Sequence, residues 1–528
     1  MKSILKKSIL FSIFLSCFWA GSVSAKSVVS PSDFSFVGGF RLSGISTPRG
    51  LTHRYVDGNF YLYTVSINTP NKGHLYQFKP LSDGALGATT NSFPIMTSFT
   101  DFGDIFQDKI YTEVNDGNDP NPKEGISGGA QMPRGIFWDE TDKRMYWTTV
   151  TNYNTTISTS DTSLGYSTLN DSLHTGTGIG MWKISPPLSQ GGYGNRWSFS
   201  MTAIPSNFAE TYLGGRRLGV GFGGGVSIIS NGTPSIGPTM FAIAPPDPLV
   251  DPNREYLKST SPIEILSHFN GESKRATRNI AYPGYDVTEG TTGFWFPEDG
   301  SRHGVWIDTP DYEGLITFAH IGAGNANTTV TSVASTTVFT VADAGDIARG
   351  DYIRIGTDYN PNDHYPFEMR YVAKVVGNTI TLESSTTGMI QIGGRVISGG
   401  WYAGGGQVIS RAWTPWYVYD PSDLANSIVN PTAYPPNQIV PKYNTNVAWP
   451  GVDYPLRGVP VGSAKPHEVW GVTFDSNTNR LYLLTYGGYD GVARYNVYVY
   501  ALNGSTANSK TDATSTVYPP GGLYIKQQ

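Results

Sequence analysis

The stretch Pro133–Thr149 reads PRGIFWDETDKRMYWTT, and Pro48–Thr64 reads PRGLTHRYVDGNFYLYT. Both open on Pro-Arg-Gly and both close on Tyr-x-x-Thr. Counted from its glycine, the later copy aligns without a gap on GVTFDSNTNRLYLLT (Gly471–Thr485), and GVWIDTPDYEGLITF (Gly304–Phe318) fits the same frame. GVGFGGGVSIIS (Gly219–Ser230) reads as a fifth, diverged copy. Each unit is an alternating strand, an Asp/Asn/Gly turn and a second apolar strand.

A third strand follows each unit: HLYQFKP (His74–Pro80), GMWKISPP (Gly180–Pro187), TMFAIAPP (Thr239–Pro246), WYVYDP (Trp416–Pro421) and VYVYAL (Val497–Leu502). The head glycines stand at 50, 135, 219, 304 and 471, so the first three steps are 85, 84 and 85 residues and the last is 167. A long, fixed period of hairpin plus outer strand predicts an all-β chain folded as a β-propeller, one blade per repeat. Five cycles give five blades at face value. Six or seven stay open, because 85 residues is long for a blade. DFSFVGGFRLS (Asp33–Ser43) is a lone strand ahead of the first unit, placed to complete the last blade and close the ring.

The long last step holds an insertion over Asn325–Gly399, with β-rich runs on both sides of a Gly377–Asn378 turn. It predicts a small sandwich or barrel projecting from one blade. The expected organisation is a leader over 1–25, a first propeller part over 26–324, the inserted module over 325–399, and a second propeller part over 400–528. The leader has Lys2, Lys6 and Lys7, an apolar Ile9–Ala20 run, and small residues up to Ala25. That is a secretory signal, with cleavage expected after Ala25 and a secreted or periplasmic destination. Cys17, the only cysteine, lies within it, so disulfide and thiol chemistry are excluded from the mature chain.

Composition supports strands and turns: 62 Gly, 35 Pro and 32 Tyr stand beside only 15% charged residues. No later apolar run is long enough for a membrane anchor. The net charge of −5 supplies no field for nucleic acid. The expected particle is a monomer.

Positive charge is instead local. Arg49 and Arg134 precede their glycines directly, while Arg217 and Arg302 stand two residues ahead, with Arg216 beside them. The last unit has PHEVWG, which puts His467 and Trp470 at the equivalent place. Equivalent positions of blades converge on the propeller axis, so these arginines are expected to ring one mouth. Guanidinium forks suit carboxylates or sulfates. The leading expectation is therefore an anionic polysaccharide partner, held by Arg49, Arg134, Arg217, Arg302 and Trp470. The competing reading is that each arginine pairs with a neighbouring blade and stitches the ring.

A lyase acting on a uronate needs a group to neutralise the carboxylate, a base and an acid. His303, His467 and Tyr153 are the candidates for proton transfer, and His320 ends the strand after His303. A glycoside hydrolase would need two carboxylates across the bond. Asp139, Asp308 and Asp475 sit at strand-to-turn junctions, where Asp caps its own backbone. Glu298, Asp299 and Glu468 are the less repetitive alternatives. A binding protein needs neither set, only aromatic platforms and a groove. No cofactor is expected. Asn115–Glu124 and Gly356–Pro366 are oxygen-rich loops that calcium would suit, but neither fits the EF-hand frame, and solvated loop is the favoured reading. Zinc-ligand spacing, dinucleotide loops and nucleophile elbows are absent from the sequence.

Together, RRLGVGFGGGVSIISNGTPSIGPTMFAIAPPDP, GVWIDTPDYEGLITFAHIGAG, WYVYDPSDLA and GVTFDSNTNRLYLLTYGG resemble a group of secreted bacterial β-propeller proteins of unassigned activity. The resemblance implies an exported propeller and carries no catalytic residues. By architecture alone the chain is also similar to the propeller-fold polysaccharide lyases and glycoside hydrolases, and a fold by itself does not transfer a function.

Overall fold

The structure is a computed structural model and describes residues 26–66, 73–107, 131–151, 164–184, 200–221, 238–244, 259–260, 262–267, 300–323, 327–345, 347, 352–356, 367–398, 400–402, 406–408, 411–413, 415–436, 438–446, 468–487 and 494–504. The chain forms a five-bladed β-propeller and a closed six-stranded barrel. The five inner strands, in ring order, are Pro48–Val56, Gln131–Asp139, Ser200–Ala203, Gly300–Asp308 and Glu468–Asp475. We number the blades one to five in that order.

Blades one to four each run outward through consecutive antiparallel strands. Blade one, for example, continues from its inner strand through Asn59–Ser66, His74–Phe78 and Thr100–Asp104. Blade five takes its fourth strand from the other end of the chain. Phe34–Leu42 pairs antiparallel with Arg494–Leu502, from Phe34 opposite Leu502 to Leu42 opposite Tyr495. The expected closure is thus present, and it hides the edge that Arg494–Leu502 would otherwise expose.

Strands rich in Val, Leu, Tyr and Trp form here because both faces of each blade are covered by neighbours. One apolar cluster fills each gap between adjacent blades. Between blades one and two, Tyr63, Val65 and Phe102 meet Ile136, Trp138 and Trp147. Between five and one, Leu484 and Val497 meet Leu51, Leu62 and Phe78. The remaining gaps are filled the same way. The core is therefore a ring of layers around the axis.

The Arg-Gly head of the repeat is a β-bulge. Pairing between inner and second strands shifts at Arg49/Thr52, Pro133/Ile136, Ser301/His303 and Val469/Gly471, in four of the five blades. Threonines at the end of the second strand supply hydroxyls to this irregularity, the closing Thr64 in blade one and Thr148, one residue before the closing Thr149, in blade two. The Thr64 hydroxyl donates toward the carbonyls of Arg49 and Gly50, at 3.0 and 2.9 Å, and is fully buried. In blade two the Thr148 hydroxyl accepts the Gly135 N–H at 3.1 Å. The glycines themselves face the next inner strand. A Cβ on Gly471 would lie 2.6 Å from backbone atoms of Gly50 and Leu51, and one on Gly50, whose φ is +62°, would lie 2.9 Å from the Arg134 carbonyl.

Blade three departs from the expected frame. Gly219 lies in its second strand, Leu218–Gly221, and its inner strand is Ser200–Ala203. That inner strand has no Arg-Gly head and pairs without a register shift. The glycine-rich second strand imitates the pattern at the right spacing. Between the two strands stands a short helix, Ser206–Tyr212, where the other blades make a tight turn.

Of the sandwich and barrel alternatives for the insertion, the strands between Asn327 and Ser398 make a closed barrel with its own core, including Phe339, Ile353, Ile355 and Val396. Asn327 pairs opposite Ile397, which brings the two ends of the module together. It follows the second strand of blade four, Tyr312–Ala323, whose last residues lie beside the start of the inner strand, with His320 opposite Gly300.

Candidate functional site

A hollow of ≈ 380 Å³ lies on the axis, lined by all five inner strands and the turns that follow them. It sits past the bulges, toward the turn end of the ring. Phe137, Trp306 and Phe474 contribute aromatic wall, and Thr52, His53 and Thr473 contribute polar wall. Asp139, Glu140 and Asp308 bring carboxylates to it, and among the described residues neither Lys nor Arg lines it.

Hydrogen bonds between blades fix this wall. The Trp138 N–H donates to the Thr52 hydroxyl at 3.0 Å, and the Trp306 N–H donates to the Thr202 hydroxyl at 3.2 Å. The His53 ring nitrogen Nδ1 is 2.7 Å from the Thr473 hydroxyl, and the ring stacks on Phe60. His53 is half-buried and lines the hollow. Burial holds its imidazole below the usual range, against the opposing pull of the Asp475 and Glu140 carboxylates.

The arginines do something else. The Arg49 guanidinium stacks on the Trp470 ring of blade five, and Trp470 in turn stacks on Tyr486 at 4.1 Å between centroids. Trp470 is 4% exposed, so it is inter-blade packing and not an open platform. Arg134 is also buried; burial alone pulls its pKa down to about 10, which leaves it charged at neutral pH. Arg217 heads a second strand instead of an inner one. It bonds Asp139 at 2.8 Å and Asp142 at 2.6 Å across the seam between blades three and two. Arg216 donates to the Leu213 carbonyl at 3.0 Å. Arg54, not singled out from the sequence, makes a two-pronged bond to Asp171 of blade two, 2.7 Å in each prong, and lies over Trp138. For Arg49, Arg217 and Arg54 the stitching reading describes the contacts observed.

His303 is 3% exposed, within the inner strand of blade four at its bulge. Tyr153, His467, Glu298 and Asp299 lie outside the described residues, as do the side chains of Arg302, His320 and Glu468. Asp139 and Asp475 cap their turns as expected, accepting the N–H groups of Thr141 and Asn477 at 2.9 and 3.1 Å. Both also bind the neighbouring blade, Asp475 through the Tyr55 hydroxyl at 2.8 Å. Asp308 pairs with Lys26.

The channel residues His53, Trp306 and Thr473 were not singled out in the sequence. The signal for them was present: they stand two or three residues after the head glycines, in the frame that converges on the axis. Among the described residues no group of three His, Cys, Asp or Glu side chains could hold a metal ion, and the two oxygen-rich loops fall almost wholly outside them. No helix among the described residues is long and apolar enough to cross a membrane.

No family model matches the chain, and no curated protein matches it. Among solved structures it is similar to the Gp54 tailspike of Acinetobacter baumannii bacteriophage AP22, solved in complex with A. baumannii capsular saccharide. The identity is 27%, over 15% of this chain and 15% of that chain, with a TM-score of 0.12. A likeness of that extent assigns neither fold nor activity to this chain.

Proposed function

We propose that this protein is an exported carbohydrate-binding propeller whose axial hollow receives a neutral sugar. The observation that carries the reading is the chemistry of that wall. Aromatic rings from blades two, four and five stand beside hydroxyls and carboxylates, with no Lys or Arg among the described residues of the wall. Sugar C–H faces pack on Phe137, the half-buried ring of the wall, while Trp306 and Phe474, 6% and 8% exposed, belong mainly to the inter-blade core, and sugar hydroxyls donate to Glu140 and Asp308. Each of the wall's carboxylates already has a cation partner, Asp139 in Arg217, Glu140 in Lys143 and Asp308 in Lys26, so the described wall carries no net positive charge for a uronate or sulfate. The anionic partner first expected finds no support in this wall, and Tyr153, His467 and the side chain of Arg302 lie outside the described residues.

The test is affinity electrophoresis of the mature protein through gels containing neutral polysaccharides or polyuronates, alongside the ultraviolet absorbance that uronate elimination produces. Retention by a neutral polymer is expected, and Glu140→Gln should weaken it about tenfold, equivalent to ~1.4 kcal/mol. Retention by polyuronates alone, or an absorbance rise, would overturn the reading in favour of an acidic-glycan lyase.

One observation favours a second reading. Glu140 and Asp308 come from non-adjacent blades and line one hollow, the disposition that a glycoside hydrolase needs for its acid and base. Asp139 is less suited, being committed to Arg217. Release of reducing ends from a retained polymer, abolished by both Glu140→Gln and Asp308→Asn, would establish that reading.

A further inference from the structure

The axial hollow has a neighbour. A second hollow of ≈ 260 Å³ lies between the helix Ser206–Tyr212 of blade three and the helix Pro421–Val429 of blade four. Pro205, Trp306 and Asp308 line both hollows. The outer one adds Asn207, Tyr212, Glu313 and Ser422 to the wall, and Lys26 approaches Asp308 at its edge.

We infer that the two hollows form one extended groove for a linear neutral oligosaccharide, with Trp306 and Asp308 at the junction. This rests on the proposed carbohydrate reading and adds to it a second subsite and a chain-length preference. Three observations support it. An aromatic run leads outward from the junction: Trp306 to Phe208 at 4.8 Å, then Phe208 to Tyr212 at 5.0 Å. Tyr212 ends that run at the surface, 37% exposed, so its ring is not needed to fill the core.

The element that carries Tyr212 is itself unnecessary to a blade. Four blades join inner and second strands by a tight turn, and only blade three inserts a helix there. That helix builds one bank of the outer hollow. Size agrees as well. The outer hollow alone is below the ~300–1,000 Å³ typical of ligand sites, and the inner one is near the lower limit, whereas the joined groove falls inside the range.

The polar groups suit hydroxyl donors. Burial raises the pKa of Glu313, and Asp308 and Asp420 raise it further against the opposing effect of Lys26. A carboxyl there keeps its proton to higher pH than a free one. Asn207 offers both an amide donor and an acceptor.

The experiment is isothermal titration of the mature protein with neutral homo-oligosaccharides, cello-, xylo- and malto-series, from mono- to hexasaccharide. Affinity is expected to rise about tenfold or more between the shortest and longest members of the bound series. In Tyr212→Ala and in Ser422→Trp, which fills the outer hollow from the other bank, affinity should stop rising with length. Both positions are on the surface side of their helices, and a circular dichroism spectrum and melting profile matching the parent's establish folding. A length dependence unchanged in both variants overturns the second subsite, while a weakening of about tenfold in Glu140→Gln keeps the axial reading standing. If no neutral glycan of any length binds the parent, the axial reading fails and the extended groove fails with it.

Discussion

His53 shows how one residue can answer to the whole ring. It comes from blade one, bonds Thr473 of blade five, and faces the axial hollow. Because burial lowers its pKa in the folded state, the neutral imidazole is the form the fold favours. Its contribution to stability is therefore fully present above the unfolded value near 6.5 and is lost as pH falls from there toward the depressed folded value. The melting temperature should drop between about pH 7.5 and pH 5, and His53→Gln should flatten part of that drop. An equally steep drop in the variant would show that other groups carry the acid sensitivity. Thr64 and Arg217 act at the same scale with fixed partners. One hydroxyl shares its proton between two carbonyls at a bulge, and one guanidinium bridges two carboxylates at a seam.

At the scale of the element, the inner strand is a strand interrupted on purpose. Three of the four bulges bring a glycine, Gly50, Gly135 or Gly471, so close to the next inner strand that a Cβ there would crowd it. Gly471→Ala sets a methyl 2.6 Å from backbone of Gly50 and Leu51, where no flexible side chain can yield. We expect it to cost at least ~3 kcal/mol, the upper range for overpacking, read as a fall in urea midpoint. A midpoint within error of the parent would mean that blades five and one are less closely apposed than described. The helix Ser206–Tyr212 is the contrasting case. It is an added element at a turn position, and its outer face leaves Tyr212 exposed.

Across the whole molecule, the propeller and the barrel keep separate cores. Five clusters lie between blades, and the sixth is confined to residues between Val330 and Val396. Since Asn327 and Ile397 are paired neighbours, residues 327–398 can be replaced by a short Gly-Ser turn without stretching blade four. The excised protein is expected to keep the propeller's melting transition and its carbohydrate retention. Loss of a cooperative transition would show that the barrel supports the ring. The inserted barrel starts and ends at the end of blade four where the inner strand begins, opposite the axial hollow.

Repetition carried the architecture in plain view: Gly50, Gly135, Gly304 and Gly471 head strands that truly are equivalent, and Asp33–Ser43 truly closes the ring. A period in sequence reports a period in structure, because each blade must solve the same problem of covering two faces and approaching one axis. Gly219 misled for the same reason, since glycine-rich alternation looks alike whether a strand is first or second in its blade. The site was harder to see. Arginines at recurring positions look the same in a sequence whether they face a ligand or a neighbouring blade. Arg49 over Trp470 and Arg217 between Asp139 and Asp142 became legible only when blades distant in sequence were set side by side. The hollow formed by His53, Trp306 and Thr473 belongs to three different blades, and only the closed ring brings those side chains to one axis.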